Sequence, residues 1–375
     1  MKLFRMLAAA CMIALLSPAQ AADPVKVGVL FPLSGGAGPQ GQHVTQAIEA
    51  MASLINDAGG VLGRPIQLVK RDDESTPAVG VTRANELIAE GVAVIIEGWN
   101  SPVTLAMQPV IARAGVLDIT AISKADGILT GGGNPLAIRL NSSNAQDGRV
   151  IAAHLKATGA KRIAFLTQND AYGNGAQSSI EGELKALGHN YEKVAEERFP
   201  FAQADFRVAL TNVRGANADA VVLINANEGS GLPALLRQAR QMRLGGELVA
   251  AVGTVAPSVI AVAGDAANGV VGADIYFPAV EPFASNPANQ AFVKRSEEMF
   301  RYTPDKFMAL GAASLQVWAQ AATAAGTLDR EAVAKRIRGG TFRDTIFGEM
   351  RFSPEGQLQS NHSLFTVRDQ KIVVR

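Results

Sequence analysis

Short runs of apolar, mostly β-branched residues alternate along this chain with stretches in which apolar positions recur every three or four residues. Val25–Phe31 (VKVGVLF) predicts a buried strand, since a run that is apolar on both faces suits a sheet covered on both sides. A Gly-rich turn at 34–41 follows, and then Val44, Ala47, Ile48, Met51, Leu54 and Ile55 at helical spacing. Ala58-Gly59-Gly60 ends that helix, because glycine accepts the left-handed backbone of a helix C-terminus. Further strands are predicted at 66–70, 92–96 and 116–120, with helices at 79–90 and 104–114 between them. Such a succession implies βαβ crossovers and a parallel sheet.

The rhythm breaks at Gly131-Gly132-Gly133-Asn134-Pro135 and then restarts. Strands at 162–167, 191–199, 220–225, 247–252 and 270–276 enclose helices at 176–187, 206–214 and 232–242. Two doubly wound α/β units are thus laid end to end. Two long helical stretches, 289–301 and 307–325, lead to a tail of strands at Gly348–Phe352 and 363–375, the latter with Asp369-Gln370 at a hairpin turn.

Composition narrows what such a chain can do. Its 375 residues are 48% hydrophobic, enough for about two domains with their own cores. Lys and Arg number 35 against 34 Asp and Glu, so no basic field for nucleic acid or anionic lipid exists. Residues 1–21 combine basic Lys2 and Arg5, an apolar run from Met6 to Leu16 and a small-x-small site at Ala19-Gln20-Ala21. This is the pattern of a secretory signal peptide, with an apolar part too short to span a bilayer. Its removal takes two basic residues and leaves the mature chain at a net charge of −1. It also takes Cys11, the only cysteine, so the expected product is an exported protein of an oxidising compartment without disulfides or thiol chemistry.

Enzymatic signals do not assemble. Gly36-Ala37-Gly38-Pro39-Gln40-Gly41 is a formal GxGxxG after a strand, but Pro39 removes an N–H from any phosphate cradle. Asp72 and Asp73 also lie well beyond the roughly 20 residues at which a ribose-binding acid is expected. There is no G-x-S-x-G, and His43, His154, His189 and His362 stand alone, without metal-ligand spacing. Those histidines and the acidic runs Asp72-Asp73-Glu74 and Glu196-Glu197 are expected to be solvated. The chain is therefore expected to be no enzyme and to need no cofactor or metal. What remains is polar groups at strand C-termini, where open α/β sheets bind ligands: the loops at 34–41, 99–101, 120–124, 169–172 and 225–228. Asn and Ser donors beside helix N-termini suit a small carboxylate, and Trp and Tyr suit an apolar body.

The segments "PLSG…G", "INDAGGVLGRPIQLVKRDDEST", "VIIEGWNSPVT", "TQNDAYGNGA", "LPALLRQARQMRL" and "AGDAANG" occur in this order over nearly all of the mature chain. Together they resemble the periplasmic leucine/isoleucine/valine-binding protein family of ABC-transporter substrate-binding proteins. The resemblance implies the type I periplasmic binding protein fold, two Rossmann-like lobes joined by a three-segment hinge that closes on a small ligand. By position, residues 23–140 and 271–347 form lobe 1, and 141–270 with 348–375 form lobe 2. The implied partners are a membrane permease and its cytoplasmic ATPase, the binding protein itself being a monomer. Carried over residue by residue, Ser101 falls on the serine that holds the ligand α-carboxylate. Ala121, Ile122 and Ser123 fall on the loop supplying backbone and hydroxyl partners, and Tyr172 on the cleft tyrosine. Glu228 lies near a second aromatic contact, Gln40 corresponds to the family's cleft tryptophan, and Trp99-Asn100 stand on the opposite side. The family's ammonium-pairing glutamate has no counterpart in 250–254 (AAVGT), and its disulfide positions hold Ser75 and Asn100. The expected ligand is an apolar amino acid with Glu228 pairing its ammonium. A non-amino aromatic or aliphatic carboxylate is the alternative within the class, and a ligand-sensing receptor of the same fold is the alternative in role.

Overall fold

The computed structural model describes residues 23–130 and 134–375; the expected signal peptide at 1–21 with Cys11, and Gly131 to Gly133, lie outside the described residues. Strands β1 (Val25–Phe31), β2 (Ile66–Asp72), β3 (Val94–Glu97), β4 (Leu117–Thr120) and β5 (Ala137–Arg139) form a parallel sheet in the order β2-β1-β3-β4-β5. A second sheet contains β6 (Arg162–Gln168), β7 (Glu192–Phe199), β8 (Ala220–Ile224), β9 (Glu247–Ala250) and β10 (Val271–Asp274). Beyond the three strands β11 (Thr341–Thr345), β12 (Gly348–Phe352) and β13 (Leu358–Gln359), the chain returns to that second sheet. There it adds β14 (Ser363–Arg368) and β15 (Lys371–Val374), giving the order β15-β14-β10-β9-β8-β6-β7.

Both sheets are covered on both faces, as their apolar runs require. In β8 every residue is buried, and the period-two alternation divides them: Val221 and Leu223 enter one core, while Ala220, Val222 and Ile224 enter the other. In the first lobe the long helix Lys306–Ala325 packs against Gly38–Asp57 and buries Trp318. The opposite face of that sheet carries Leu30, Leu87, Ile95 and Met107. Each sheet reverses its winding once, between β1 and β3 in lobe 1 and between β6 and β8 in lobe 2. Such switch points open a crevice at the strand C-termini.

The lobe boundaries differ from those expected in two places. β10 pairs in parallel with β9 and antiparallel with β14, so 271–274 belongs to lobe 2. β12 and β13 pair with β11 rather than with lobe 2, and Met350, Phe352 and Leu358 pack into the lobe 1 core. A strand's pattern reports that it is buried without reporting which sheet it joins. The chain accordingly crosses between lobes at 141–143, 275–277 and 360–362. The C-terminal hairpin is as the sequence predicts, with Arg368 opposite Lys371 and both Asp369 and Gln370 at positive φ, the backbone of a two-residue primed turn.

Candidate functional site

Lobe 1 supplies the first wall through the turn after β3. Gly98 has φ 99°, and a Cβ there would lie 2.1 Å from Thr120 Oγ1; only glycine turns the chain tightly enough to aim Trp99, Asn100 and Ser101 into the crevice. Ser101 opens the helix Ser101–Arg113, and its Oγ accepts the backbone N–H groups of Lys124 and Ala125, both at 3.1 Å. With both hydroxyl lone pairs taken, its proton is left to donate to a ligand.

The segment after β4 alternates its side chains as extended backbone must. Ala121 and Ser123 turn inward: Ser123 Oγ bonds Thr104 Oγ1 at 2.8 Å, and Thr104 in turn donates to Glu97 Oε2 at 2.8 Å. Ile122 and Lys124 face the cavity. Lys124 is 5% exposed, and its Nζ reaches across the crevice to Asp147 Oδ2 at 2.5 Å and to the carbonyl of Val252 at 2.8 Å.

A second buried lysine enters from the start of the helix Lys306–Ala325. Lys306 Nζ donates to the Gly253 carbonyl at 3.1 Å, stands 4.0 Å from Asp274 Oδ1, and lies 4.0 Å from the centre of the Phe307 ring. Gly253 has φ 76°, and a Cβ on it would fall 2.0 Å from that ammonium. The space a side chain would take at Gly253 is therefore filled by a cation from the other lobe.

Lobe 2 closes the cavity with the loops after β6, β8 and β9. Asp170 caps the helix Ala171–Ala186 by accepting from Gly173 N at 2.9 Å and is also bonded by Gln168, whose Oε1 accepts from Ala226 N at 2.9 Å. Tyr172 and Glu228 point into the space so formed. Glu228 is 4% exposed, and its Oε2 has no hydrogen-bond partner. Burial pushes its carboxyl up to about 8, against the pull of Lys306 and Lys124. Burial also acts to raise Asp147, but Lys124 and His362 beside it prevail and bring it to about 2. The result is a small cavity of about 30 Å³ walled by Trp99, Phe307, Ile122 and Tyr172 and lined by two ammonium groups. Trp99 and Phe307 meet at a 4.8 Å ring separation.

Of the residues expected at the site, Trp99, Asn100, Ser101, Ile122, Tyr172 and Glu228 line this cavity. Ala121 and Ser123 do not, because the alternation turns them into the lobe. Gln40 lies outside it, between the lobes, where its amide sits over Gly229: a Cβ there would be 2.4 Å from Gln40 Nε2. The reading missed Lys124, one place beyond the named loop, and Lys306, at a helix start that carries no motif. Two expectations of solvation also give way. His154 Nε2 lies 2.8 Å from Glu247 Oε2, and the His362 side chain is 6% exposed, with Nε2 3.2 Å from Asp147 Oδ1. Asp73, 1% exposed, is buried at the end of β2 with Oδ1 accepting from Ser75 N at 2.7 Å. The glycine-rich turn is tied to Asp72, which accepts from Leu33 N at 2.8 Å and from Ser34 Oγ at 2.6 Å.

The site is thus a crevice between two doubly wound lobes, closed over buried polar groups. Residues 24–371 match the family model described as periplasmic binding protein. The chain belongs to that family and is a substrate-binding protein, not an enzyme. It is 28% identical over 337 residues to a Leu/Ile/Val-binding protein homolog 1 of Brucella suis biovar 1 (strain 1330), covering 88% of this chain and 87% of that one. Among solved structures, a leucine binding protein from Thermotoga maritima MSB8 is 25% identical with a TM-score of 0.82, covering 94% of this chain and 97% of that one. A solute binding protein from R. palustris in complex with benzoate is 26% identical with a TM-score of 0.84, covering 94% and 95%.

Proposed function

We propose that this protein captures a small carboxylate without an ammonium group in the periplasm and delivers it to an ABC importer. The observation that carries the ligand class is Lys306, whose Nζ fills the space over Gly253. Leucine-type binders use the corresponding stretch to place an acid against the ligand ammonium; here a cation stands there, with Lys124 as a second one in the same cavity. A zwitterion would bring a third positive charge into a low-dielectric space, where like charges at contact distance repel by several kcal/mol. A carboxylate instead meets the free proton of Ser101 and unused N–H groups of the lysines, all charge-assisted donors. Trp99, Phe307 and Tyr172 suit a ring or a branched alkyl body, and the benzoate in the R. palustris relative agrees with an acid of this kind.

One observation favours an apolar amino acid instead: Glu228 Oε2 is unpartnered in the cavity wall, and the Brucella relative is named for such ligands. Matched pairs that differ only in the ammonium separate the readings. By titration calorimetry, 4-methylpentanoate is expected to bind more tightly than leucine, and 3-phenylpropanoate more tightly than phenylalanine. Tighter binding of the amino acid in both pairs overturns the proposal.

A further inference from the structure

The two lysines account for a carboxylate but leave one wall of the cavity unexplained. Glu228 follows β8 in the loop at 226–228, is 4% exposed, and turns a carboxyl oxygen into the cavity with no partner. A second acceptor in the lining, Asn100 Oδ1 on the opposite lobe, is likewise buried and unpartnered. A buried acceptor without a donor costs the full desolvation of that group, and native proteins keep few of them without a reason. None of the neighbouring donors bonds Glu228 Oε2: Gln168 bonds Asp170 and Ala226, Lys124 bonds Asp147 and Val252, and Lys306 bonds Gly253, the remaining N–H groups of the two lysines staying out of hydrogen-bond reach of it. A ligand carboxylate serves Glu228 only in its protonated state, because ionised carboxylates only accept.

We infer, resting on the carboxylate reading above, that Glu228 selects ligands that carry a hydroxyl group in addition to the carboxylate. A hydroxyl donates to an ionised Glu228 and accepts from a protonated one, so it satisfies the site in either state. An ammonium would also donate, but it would stand among the Lys124 and Lys306 ammonium groups that line the same cavity. A second carboxylate would meet Glu228 with Asp274 behind it, near Lys306. The neutral hydroxyl is the donor that neither set of charges opposes. Glu228 is thus the specificity-determining residue, since a site built to bond a hydroxyl rejects the analogue lacking it far more strongly than an apolar pocket can.

Binding of benzoate, 4-methylbenzoate, 3-hydroxybenzoate and 4-hydroxybenzoate by calorimetry tests this in the wild type, in Glu228→Gln and in Glu228→Leu. In the wild type the better hydroxybenzoate is expected to bind at least about tenfold more tightly than benzoate and than 4-methylbenzoate, which matches its volume without the hydroxyl. Glu228→Gln, with both a donor and an acceptor, keeps that preference, and Glu228→Leu loses it while still binding benzoate. Equal wild-type affinity for the hydroxyl and methyl compounds overturns the inference, a comparison that holds even if Glu228→Leu does not fold. An undiminished hydroxyl preference in a folded Glu228→Leu overturns it too. If the wild type binds leucine and none of the four acids, the carboxylate reading itself fails and takes this inference with it. Benzoates that bind without regard to Glu228 leave that reading standing and remove only the hydroxyl.

Discussion

Ser101 illustrates how one hydroxyl can be committed before any ligand arrives. Its oxygen accepts two backbone N–H groups from the 124–125 segment, which fixes the rotamer and directs the remaining proton outward. Ser101→Ala is therefore expected to weaken benzoate binding by tenfold to a hundredfold, the roughly 1.5–3 kcal/mol of a bond to a charged group. The melting temperature should also fall by a few degrees while the fold is retained, because the buried Lys124 and Ala125 N–H groups lose their acceptor. Unchanged affinity by calorimetry would reduce Ser101 to a brace for the 124–125 loop. Lys306→Met keeps the length and removes the cation, and is expected to cost at least a further tenfold for the same acid. The two residues were not equally legible. Ser101 follows a strand, a glycine, a tryptophan and an asparagine, which is the local signature of a crevice loop. Lys306 lies about 180 residues from Lys124 in sequence, and nothing local announces that its helix starts inside the crevice. Lys124 was missed for a smaller reason: the alternation of extended backbone selects 122 and 124, and the sequence does not reveal where that alternation begins.

At the scale of elements, the strands and long helices were readable because burial on both sheet faces leaves unbroken apolar runs, and helix faces leave a 3.6-residue period. What stayed hidden was pairing. β10 reads as apolar whichever lobe it joins, and the small sheet of β11, β12 and β13 is held by a few residues such as Phe342, Met350 and Leu358. The helices Pro257–Ala263 and Arg330–Ile337 are too short to show a period. The end of β2 was misread as a solvated acidic face, and that error has a measurable consequence. Burial, with Asp72 and Glu74 adding to it, raises the Asp73 carboxyl to about 7, although the Ser75 N–H favours its charged form. The native state then binds the proton more tightly than the unfolded chain. This group's contribution to stability is therefore greatest below about pH 4 and declines as pH rises toward 7. Asp73→Asn retains the acceptor for Ser75 and carries no charge. It is expected to raise the melting temperature at pH 8 by several degrees and to leave it nearly unchanged at pH 4.5. An equal shift at both values would show that the acid is solvated after all.

On the scale of the whole molecule, the lobes meet through groups that can touch only when the crevice is shut. Lys124 reaches the Val252 carbonyl, Lys306 the Gly253 carbonyl, the Phe201 ring covers Gly36, and the Gln40 amide lies over Gly229. Three crossing segments, at 141–143, 275–277 and 360–362, join bodies with separate cores. That connectivity lets the lobes rotate as units about short hinges. Under the carboxylate proposal an anion between them would stabilise the shut form, because closing desolvates two ammonium groups that Asp147 and Asp274 balance only in part, the second at 4.0 Å. Small-angle scattering is expected to give a smaller radius of gyration with saturating benzoate than without it. Gly229 supplies the control. Its φ is ordinary, and the three atoms nearest to a Cβ there all belong to Gln40 of the other lobe, so Gly229→Trp is expected to place a wedge that the open form tolerates and the shut form does not. The variant should melt like the wild type, bind benzoate at least tenfold more weakly, and keep its ligand-free radius when benzoate is added. Each lobe alone would then hold the acid poorly, as expected of a site whose two ammonium groups are locked by carbonyls of the opposite wall. If Gly229→Trp contracts and binds as the wild type does, the lobes meet elsewhere in solution and the crevice does not work as a hinged trap.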